Sequence, residues 1–485
     1  MMHPMASATF YWHDYETFGR HPRRDRPSQF AGIRTDEELR EVEEPLVLYC
    51  QPPLDSLPDP ESCLITGILP QECQRRGLLE HEFAQRIHAQ LSQPGTIGVG
   101  YNSMAFDDEV SRFLFWRNLI EPYGREWQQD CSRWDLLDVL RCAYAFKPQA
   151  LNWPLNDQGR VSFRLEHLTQ ANGVAHGQAH DAASDVRATI GMARLVRDRL
   201  PRLWDFCLSL RHKSTVKSQL VLGQPVLHVS GKYPVERGCV AVVWALAPHP
   251  YHPNEVIVWD LAHDPRPLLE LTAGEIRQRL FSRQEDLPEG THRLPIKTIH
   301  LNQAPVVIAQ LKTLSPELAQ RWGIDWPTVD RHALAAGSLM GEMAGVWGEV
   351  FAKATPTAPV DVDEALYEGF LSAADRRALD QWRHSPQAPQ AAPSSPFEDG
   401  RLEELVFRYR ARNFPQSLND EETLRWQAHV QARLLQPTRV GAMDALSAFF
   451  DKLDALQESA STEQEAILSA LYEWAEHIAP TNSSY

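Results

Sequence analysis

The chain has 485 residues, 43% hydrophobic, 9% aromatic and 23% charged, the composition of a folded globular protein, with room for two to four domains at ~100–200 residues each. No apolar run approaches the ~20 residues needed to cross a bilayer, and Met1 to Trp12 lack the basic start and apolar centre of a signal peptide, which points to the cytoplasm and away from membranes. The net charge of −16 excludes a uniformly basic surface, but it is unevenly spread: residues 1–200 carry 21 Lys/Arg against 28 Asp/Glu, 201–355 carry 16 against 15, and 356–485 carry 11 against 21. The middle third leaves room for a local basic strip, since it opens with Arg202, Arg211, Lys213 and Lys217 against Asp205 alone, a pattern that a solvated helix face would share.

In chain order, the aromatic run 9–13 and the apolar runs 46–50 and 96–100 read as buried strands. Helical periodicity covers 80–93, 107–119 and 181–200, which makes the first ~200 residues an α/β domain. From 203 to 353, β-branched runs at 226–229, 240–244, 256–259 and 305–308 alternate with Pro- and Gly-containing turns, as in a small β domain with appended helices. After a Pro/Thr/Ala stretch at 354–359 the pattern is helical at 362–382, 402–412, 420–435, 442–457 and 462–477, interrupted by a Pro/Ala/Ser-rich loop at 385–396. The expected domains are 8–202, 203–354 and 360–480. The seven cysteines are odd in number and form no C-x-x-C pair, so they read as free buried thiols.

Three places carry chemistry. Asp14 and Glu16 flank Tyr15 in the first strand, and strand side chains alternate, so both carboxylates share a face and form a clamp for a divalent cation. Asp107 stands where the strand 96–100 gives way to a helix, followed by Asp108 and Glu109, which read as favourable first-turn charges. His180 and Asp185 lie at the start of the next long helix, where both reach the sheet edge; Asp181 between them reads as a helix N-terminal residue. Hydrolysis of a phosphodiester needs an activated water, neutralised phosphoryl oxygens and a stabilised leaving oxygen, which two hard cations ~3.5–4 Å apart supply. Carboxylates suit Mg²⁺ better than zinc. A histidine near pKa ~6.5 can take the water's proton.

This order of acids resembles the DEDDh branch of the DEDD exonuclease superfamily. The resemblance implies that Asp14, Glu16, Asp107 and Asp185 hold two Mg²⁺ ions, with Mn²⁺ as a substitute, and that His180 is the general base. Longer segments are similar to bacterial exonuclease I: His13-Asp14-Tyr15-Glu16-Thr17-Phe18-Gly19, Leu64-Ile65-Thr66-Gly67-Ile68, Ser132-Arg133-Trp134-Asp135-Leu136-Leu137-Asp138-Val139, Ser162-Phe163-Arg164-Leu165-Glu166-His167-Leu168, His228-Val229-Ser230-Gly231 and Tyr409-Arg410-Ala411-Arg412-Asn413-Phe414-Pro415. That family implies a ribonuclease H-like exonuclease domain, an SH3-like β domain and an all-helical C-terminal domain that together encircle single-stranded DNA. The activity implied is processive 3′→5′ hydrolysis to 5′-mononucleotides by a monomer, in DNA repair and recombination.

Sequence context nominates Arg112 and Arg164 as phosphate contacts, and the resemblance adds Tyr123, Trp127, Arg141, Lys213, Asn254, Lys297 and Tyr367, with Glu16 also touching the terminal nucleotide. It further implies a partner, single-stranded DNA-binding protein, whose acidic C-terminal tail would dock near Lys147 and the 201–217 strip. The loop at 385–396 and the tail after His477 depart from the family pattern. His249, His252 and His263 share a turn-rich segment without a ligand pattern and are not read as a metal site. Three other readings are open: an HD-type phosphohydrolase using His13-Asp14 and His180-Asp181, a catalytically dead DNA-binding module, and a 3′→5′ exoribonuclease or proofreading subunit.

Overall fold

In a computed structural model, described for residues 8–177, 181–352, 360–385, 397–437 and 443–480, the chain forms two compact units. The first comprises Met1–Cys131, Gly177–Arg187 and Ala358–Tyr485; the second comprises Ser132–His176 and Ala188–Thr357. The expected linker at 354–359 and most of the loop at 385–396 lie outside the described residues.

In the first unit, β1 (Thr9–Thr17), β2 (Pro27–Thr35), β3 (Leu46–Tyr49) and β4 (Thr96–Gly100) lie in the order β3-β2-β1-β4. β1 runs antiparallel to β2 and parallel to β4. Its odd-numbered residues Tyr11 and Tyr15 join Phe30, Phe83, Ile87, Leu91, Leu114 and Phe115 in the core beneath helices Glu80–Leu91 and Asp107–Arg117. The even-numbered Asp14 and Glu16 therefore fall on the opposite face. β2 has no alternation that sequence could reveal, because all nine of its residues are buried. Gly32 within it is obligatory, since a Cβ there would stand 2.2 Å from the Tyr11 hydroxyl.

The C-terminal helices of this unit are Ala373–Arg383, Arg401–Asn413, Asp420–Leu435, Ala445–Gln457 and Thr462–Ile478. Capping boxes at Asn419/Glu422 and Ser461/Gln464 start two of them. The single helix expected over 362–382 is instead two pieces, a 3₁₀ segment Val362–Glu368 and the helix from Ala373. Gly369, at φ 152°, breaks the run, and the Ser372 side chain caps the second piece by accepting from the Asp375 amide at 3.0 Å. Leu446, Phe449, Leu453, Leu468 and Leu471 pack on Phe18, Cys63, Ile68 and Cys73.

A buried ionic network ties the same helices down. Asp363 receives Arg26 at 3.0 Å and Arg412 at 2.6 Å, Arg412 also reaches Asp55 at 2.7 Å, and His429 approaches Asp55 at 3.4 Å. Burial alone would raise both carboxyls, but the surrounding guanidinium groups hold Asp363 and Asp55 well below the usual carboxylate range.

In the second unit, β5 (Ser132–Asp135) leads into helix Leu136–Phe146, capped by the Asp135 side chain on the Leu137 amide at 3.0 Å. An antiparallel sheet follows: β6 (Pro225–Val229), β7 (Val240–Pro248), β8 (Glu255–Asp260), β9 (Ile296–His300) and β10 (Val306–Ile308), in the order β10-β6-β7-β8-β9. Val226, Ala241, Val243, Val258, Ile299 and Val307 form its core. Four of these strands match the β-branched runs; β9 does not stand out in sequence because only Ile296 and Ile299 in it are fully buried. The appended helices include Lys213–Gln219, Ala273–Phe281, Pro316–Arg321, Trp326–Met343 and Val346–Val350. All seven cysteines are free and buried, as their spacing suggested. No helix among the described residues is long and apolar enough to cross a membrane.

Removing one member of the Asp363 network strands buried charge, which costs ~3–5 kcal/mol. Asp363→Ala is expected to lower unfolding stability by about that amount at pH 7 in a denaturant titration. The stabilisation belongs to carboxyls with depressed pKa values, so it is present above the unfolded value of ~4 and is lost as pH falls through the folded value. The mutant and parent curves should accordingly converge in strong acid.

Candidate active site

Asp14 and Glu16 project from β1, and Asp185 from the first turn of helix Ala182–Arg199; one carboxylate oxygen from each lies within 4.8 Å of the others. Among the described residues no other group of three potential ligands converges in this way. Local features bring the two elements to this point. The pairing register shifts between Glu16 and Thr17, where Ser28 of β2 is skipped and the irregularity falls beside Glu16; such bulges occur next to active sites. Directly across from Glu16 on β2 is the buried Gln29, whose carbonyl oxygen accepts from the Ala182 amide at 3.1 Å while its amide donates to the Tyr49 hydroxyl at 2.8 Å. Gln29 thus pins the start of the helix that carries Asp185. No sequence signal marks it, since a lone glutamine inside a strand reads as ordinary polarity. Asp181 caps that helix, accepting from the Ser184 amide at 3.1 Å, in keeping with its reading as a helix-terminal residue.

Asp107 opens its helix and accepts from the Tyr15 amide at 3.0 Å, between the two β1 acids along the strand. It is outside the trio of converging oxygens yet acts on them electrostatically: burial first and Asp107 next push the Asp14 carboxyl well above its ordinary range. Glu16 is pushed up to about 8 by burial, then by Asp185 and Asp107. A buried pair of carboxyls, Asp14 and Glu16, raised by Asp107 and Asp185 beside them fits a hard divalent cation, which removes the repulsion and bonds to oxygen. His180 lies outside the described residues.

His13 faces the other way. It is buried against Tyr15 and Phe30, and burial together with Arg125 lowers it to about 4, so it is a neutral core residue. This leaves the first pair of the HD-type reading without its histidine ligand. Asp108 and Glu109 do sit in the first turn of their helix, but as ion-pair partners: Asp108 meets the buried Arg125 at 2.6 Å, and Glu109 meets Arg112 at 2.6 Å.

The candidate DNA contacts divide between the units. In the first, Arg112 is buried rather than presented at a surface. Its guanidinium is engaged by Glu126 at 2.7 Å and Glu109 and by the Tyr367 hydroxyl at 3.0 Å, and Tyr123 lies 5.4 Å from it. Those two acids balance its charge, and Arg112 stands between the two aromatics. Tyr123 and Tyr367 are half-buried, and Trp127 is 67% exposed. In the second unit, Arg164 is exposed beside Glu166 at 3.0 Å, Arg141 pairs with Asp138 at 2.7 Å, Lys213 bonds to Asn254, and the Lys297 ammonium stands 3.5 Å over the Tyr233 ring. Lys147, Arg202 and Lys217 are exposed there. The His249 and His252 rings meet at 4.6 Å, tilted by 39°, without joining a ligand cluster.

An acid clamp on a ribonuclease H-like sheet, with a second set of acids at helix starts, defines a metal-dependent nuclease of the exonuclease superfamily. Family models place it more closely: an exonuclease domain matches residues 11–193, the exonuclease I SH3-like domain 211–353 and the exonuclease I C-terminal domain 360–478. The chain belongs to the exonuclease I family. It is 45% identical to exodeoxyribonuclease I of Escherichia coli K12 over 97% of this chain and 98% of that one, and 42% identical to the Haemophilus influenzae protein of the same name over 88% and 90%. Among solved structures, exonuclease I from Methylocaldum szegediense superposes with a TM-score of 0.88 at 46% identity, covering 97% of this chain and 99% of that one. The E. coli enzyme in complex with a dA16 oligonucleotide gives 0.88 at 44% over 97% and 100%, and an exonuclease I/SSB-Ct complex gives 0.89 at 43% over 98% and 100%.

The raised acids set a pH dependence in metal-free protein. Glu16 at about 8 keeps a proton that the unfolded chain, near ~4.3, releases; the associated stability is fully present below ~pH 4 and is lost as pH rises through about 8. Melting in EDTA should therefore fall between pH 5 and 8.5. Glu16→Gln should be the more stable protein at pH 8, on the order of 1 kcal/mol, because it removes a charge from the cluster. Differential scanning fluorimetry checks both; a Gln variant that melts below the parent at pH 8 would contradict the assigned repulsion.

Proposed function

We propose that this chain hydrolyses single-stranded DNA processively from the 3′ end, releasing 5′-mononucleotides, with Asp14, Glu16, Asp107 and Asp185 holding two Mg²⁺ ions for which Mn²⁺ can substitute. The observation that carries the reading is the convergence of Asp14, Glu16 and Asp185 on the sheet face opposite the core, in a chain matching exonuclease I relatives over nearly its whole length. When bound, the cations supply neutralisation of the phosphoryl oxygens and lower the cost of forming hydroxide. The chain's own part is positional. β1 and the helix pinned by Gln29 hold the carboxylates at fixed separations, so that little reorganisation accompanies the reaction.

His180 is proposed to take the attacking water's proton, a role suited to an imidazole near neutral pH. Glu16 is proposed to touch the terminal nucleotide as well as the metal. Arg164, Arg141, Lys213, Asn254 and Lys297 follow the phosphates, while Tyr123, Trp127 and Tyr367, buttressed by Arg112, offer ring faces to bases. A role in DNA repair and recombination, a monomeric state and a cytoplasmic location complete the proposal. Single-stranded DNA-binding protein is the proposed partner, its acidic tail attracted to Lys147 and the strip Arg202 to Lys217, in line with the exonuclease I/SSB-Ct complex.

The decisive measurement is digestion of end-labelled single-stranded DNA, matched RNA and duplex. Mg²⁺-dependent release of mononucleotides from the 3′ end of the single strand is expected, abolished by EDTA. Asp14→Ala is expected to lower the rate by ~10³-fold or more, since each tenfold is 1.36 kcal/mol and metal stabilisation amounts to several. Asp181→Asn should remain active, against the HD-type reading. Equal degradation of RNA would move the protein to the exoribonucleases, and absence of cleavage to the binding modules. For the partner, a tail peptide is expected to bind in fluorescence polarisation at low salt; a flat titration removes that part of the proposal.

A further inference from the structure

We propose that the turn Ser230–Tyr233 is a positioning element for the DNA grip: it seats Arg141 against Gly231 and Lys297 against Tyr233, and with its own Lys232 gathers three cations into one receptor for the phosphodiester backbone. The proposal rests on the reading above that the substrate is single-stranded DNA, and it deepens that reading by naming what holds the grip in shape.

The turn itself is rigid. Tyr233 donates its amide to the Ser230 carbonyl at 3.1 Å, Lys232 donates to the Ser230 hydroxyl at 3.2 Å, and the Ser230 amide bonds to the Cys239 carbonyl at 2.9 Å. A Cβ on Gly231 would stand 2.6 Å from the Arg141 guanidinium carbon. The absence of a side chain is therefore what lets that guanidinium lie against the turn, with Asp138 steadying it at 2.7 Å. On the other side, the Lys297 ammonium sits 3.5 Å from the Tyr233 ring centroid and donates to the Lys232 carbonyl at 2.9 Å. A ring face attracts a cation through its quadrupole and fixes a side chain that would otherwise be mobile. The ring is in turn fixed by His228, which shares a 2.9 Å hydrogen bond with its hydroxyl and meets it edge-on at 5.4 Å.

Like charges are crowded here. Burial, with Lys232 and Arg237 opposed by Asp260, pushes the Lys297 ammonium down to about 8, and His228 is kept neutral by burial and the same lysines. An anion relieves that crowding. Because Tyr233 is buried under the ammonium, its ring is not available to stack on a base, so the element reads phosphate charge and not sequence.

The test uses the full chain and a fluorescent oligothymidylate in EDTA, with anisotropy measured across a salt series, and steady-state digestion with Mg²⁺. Tyr233→Leu is expected to weaken binding ~5–10-fold, to reduce the salt slope by ~0.7, the value for one phosphate contact on a single strand, and to raise KM more than it lowers kcat. Tyr233→Phe keeps the ring and should restore affinity. The double variant Tyr233→Leu/Lys297→Ala should bind no more weakly than Lys297→Ala alone, as expected when one residue acts through the other. Gly231→Ala, at an exposed turn position that folding tolerates, should mimic Arg141→Ala.

Parent-like binding by both Tyr233→Leu and Gly231→Ala, or fully additive losses in the double variants, would overturn the positioning role. If instead Lys297→Ala and Arg141→Ala leave affinity and salt slope unchanged, these cations do not touch DNA, and it is the underlying contact assignment that fails.

Discussion

Mutual repulsion among carboxylates is the constraint around which the catalytic unit is arranged. Asp14, Glu16, Asp107 and Asp185 disfavour one another's charge and are partly withdrawn from water, so an unsupported chain would splay them apart. The restraints are backbone-deep. Alternation along β1 puts two of the acids on one face, the Tyr15 amide holds Asp107, and Gln29 and Asp181 fasten and cap the start of the helix bearing Asp185. In the last three a main-chain amide donates to a side-chain oxygen, which ties each side chain to the backbone of another element or of its own helix. The site is thus preorganised by secondary structure, which is where catalytic proteins gain most from rigidity.

The opposite arrangement serves stability. Asp363 and Asp55 are as buried as any acid in the catalytic cluster but are held ionised by arginines, and they fasten C-terminal helices to the α/β layer within the same unit. Burial raises a carboxyl's pKa in both places; what differs is the sign of the neighbouring charge. One set is left open to an external cation and the other is closed by internal ones.

Much of this was legible in the sequence where a period or a cap carries it. The alternation of β1 and the carboxylates at two helix starts marked the acids, and the β-branched runs marked four strands of the second unit. What escaped has physical reasons. β2 is buried along its whole length, so no alternation separates it from a loop. The break at Gly369 follows from φ and a serine cap inside an otherwise periodic stretch. Arg112 looks like a surface cation until Glu126, fourteen residues away, is seen to neutralise it. Gln29 and Tyr233 act through residues distant in sequence, and no local pattern announces such a role.

The nine residues of β1 leave one further mark on how this protein can change. Side chains on a strand point alternately up and down, so deletion of one residue just before Asp14 would turn the acids toward the aromatic layer and bring Tyr15 to the face they leave. Point changes at most of these positions alter packing by degrees, whereas a change of length inverts the strand in a single step. The length of this strand is therefore constrained more tightly than the identity of most of its residues, and room for insertions falls to the connections that precede and follow it.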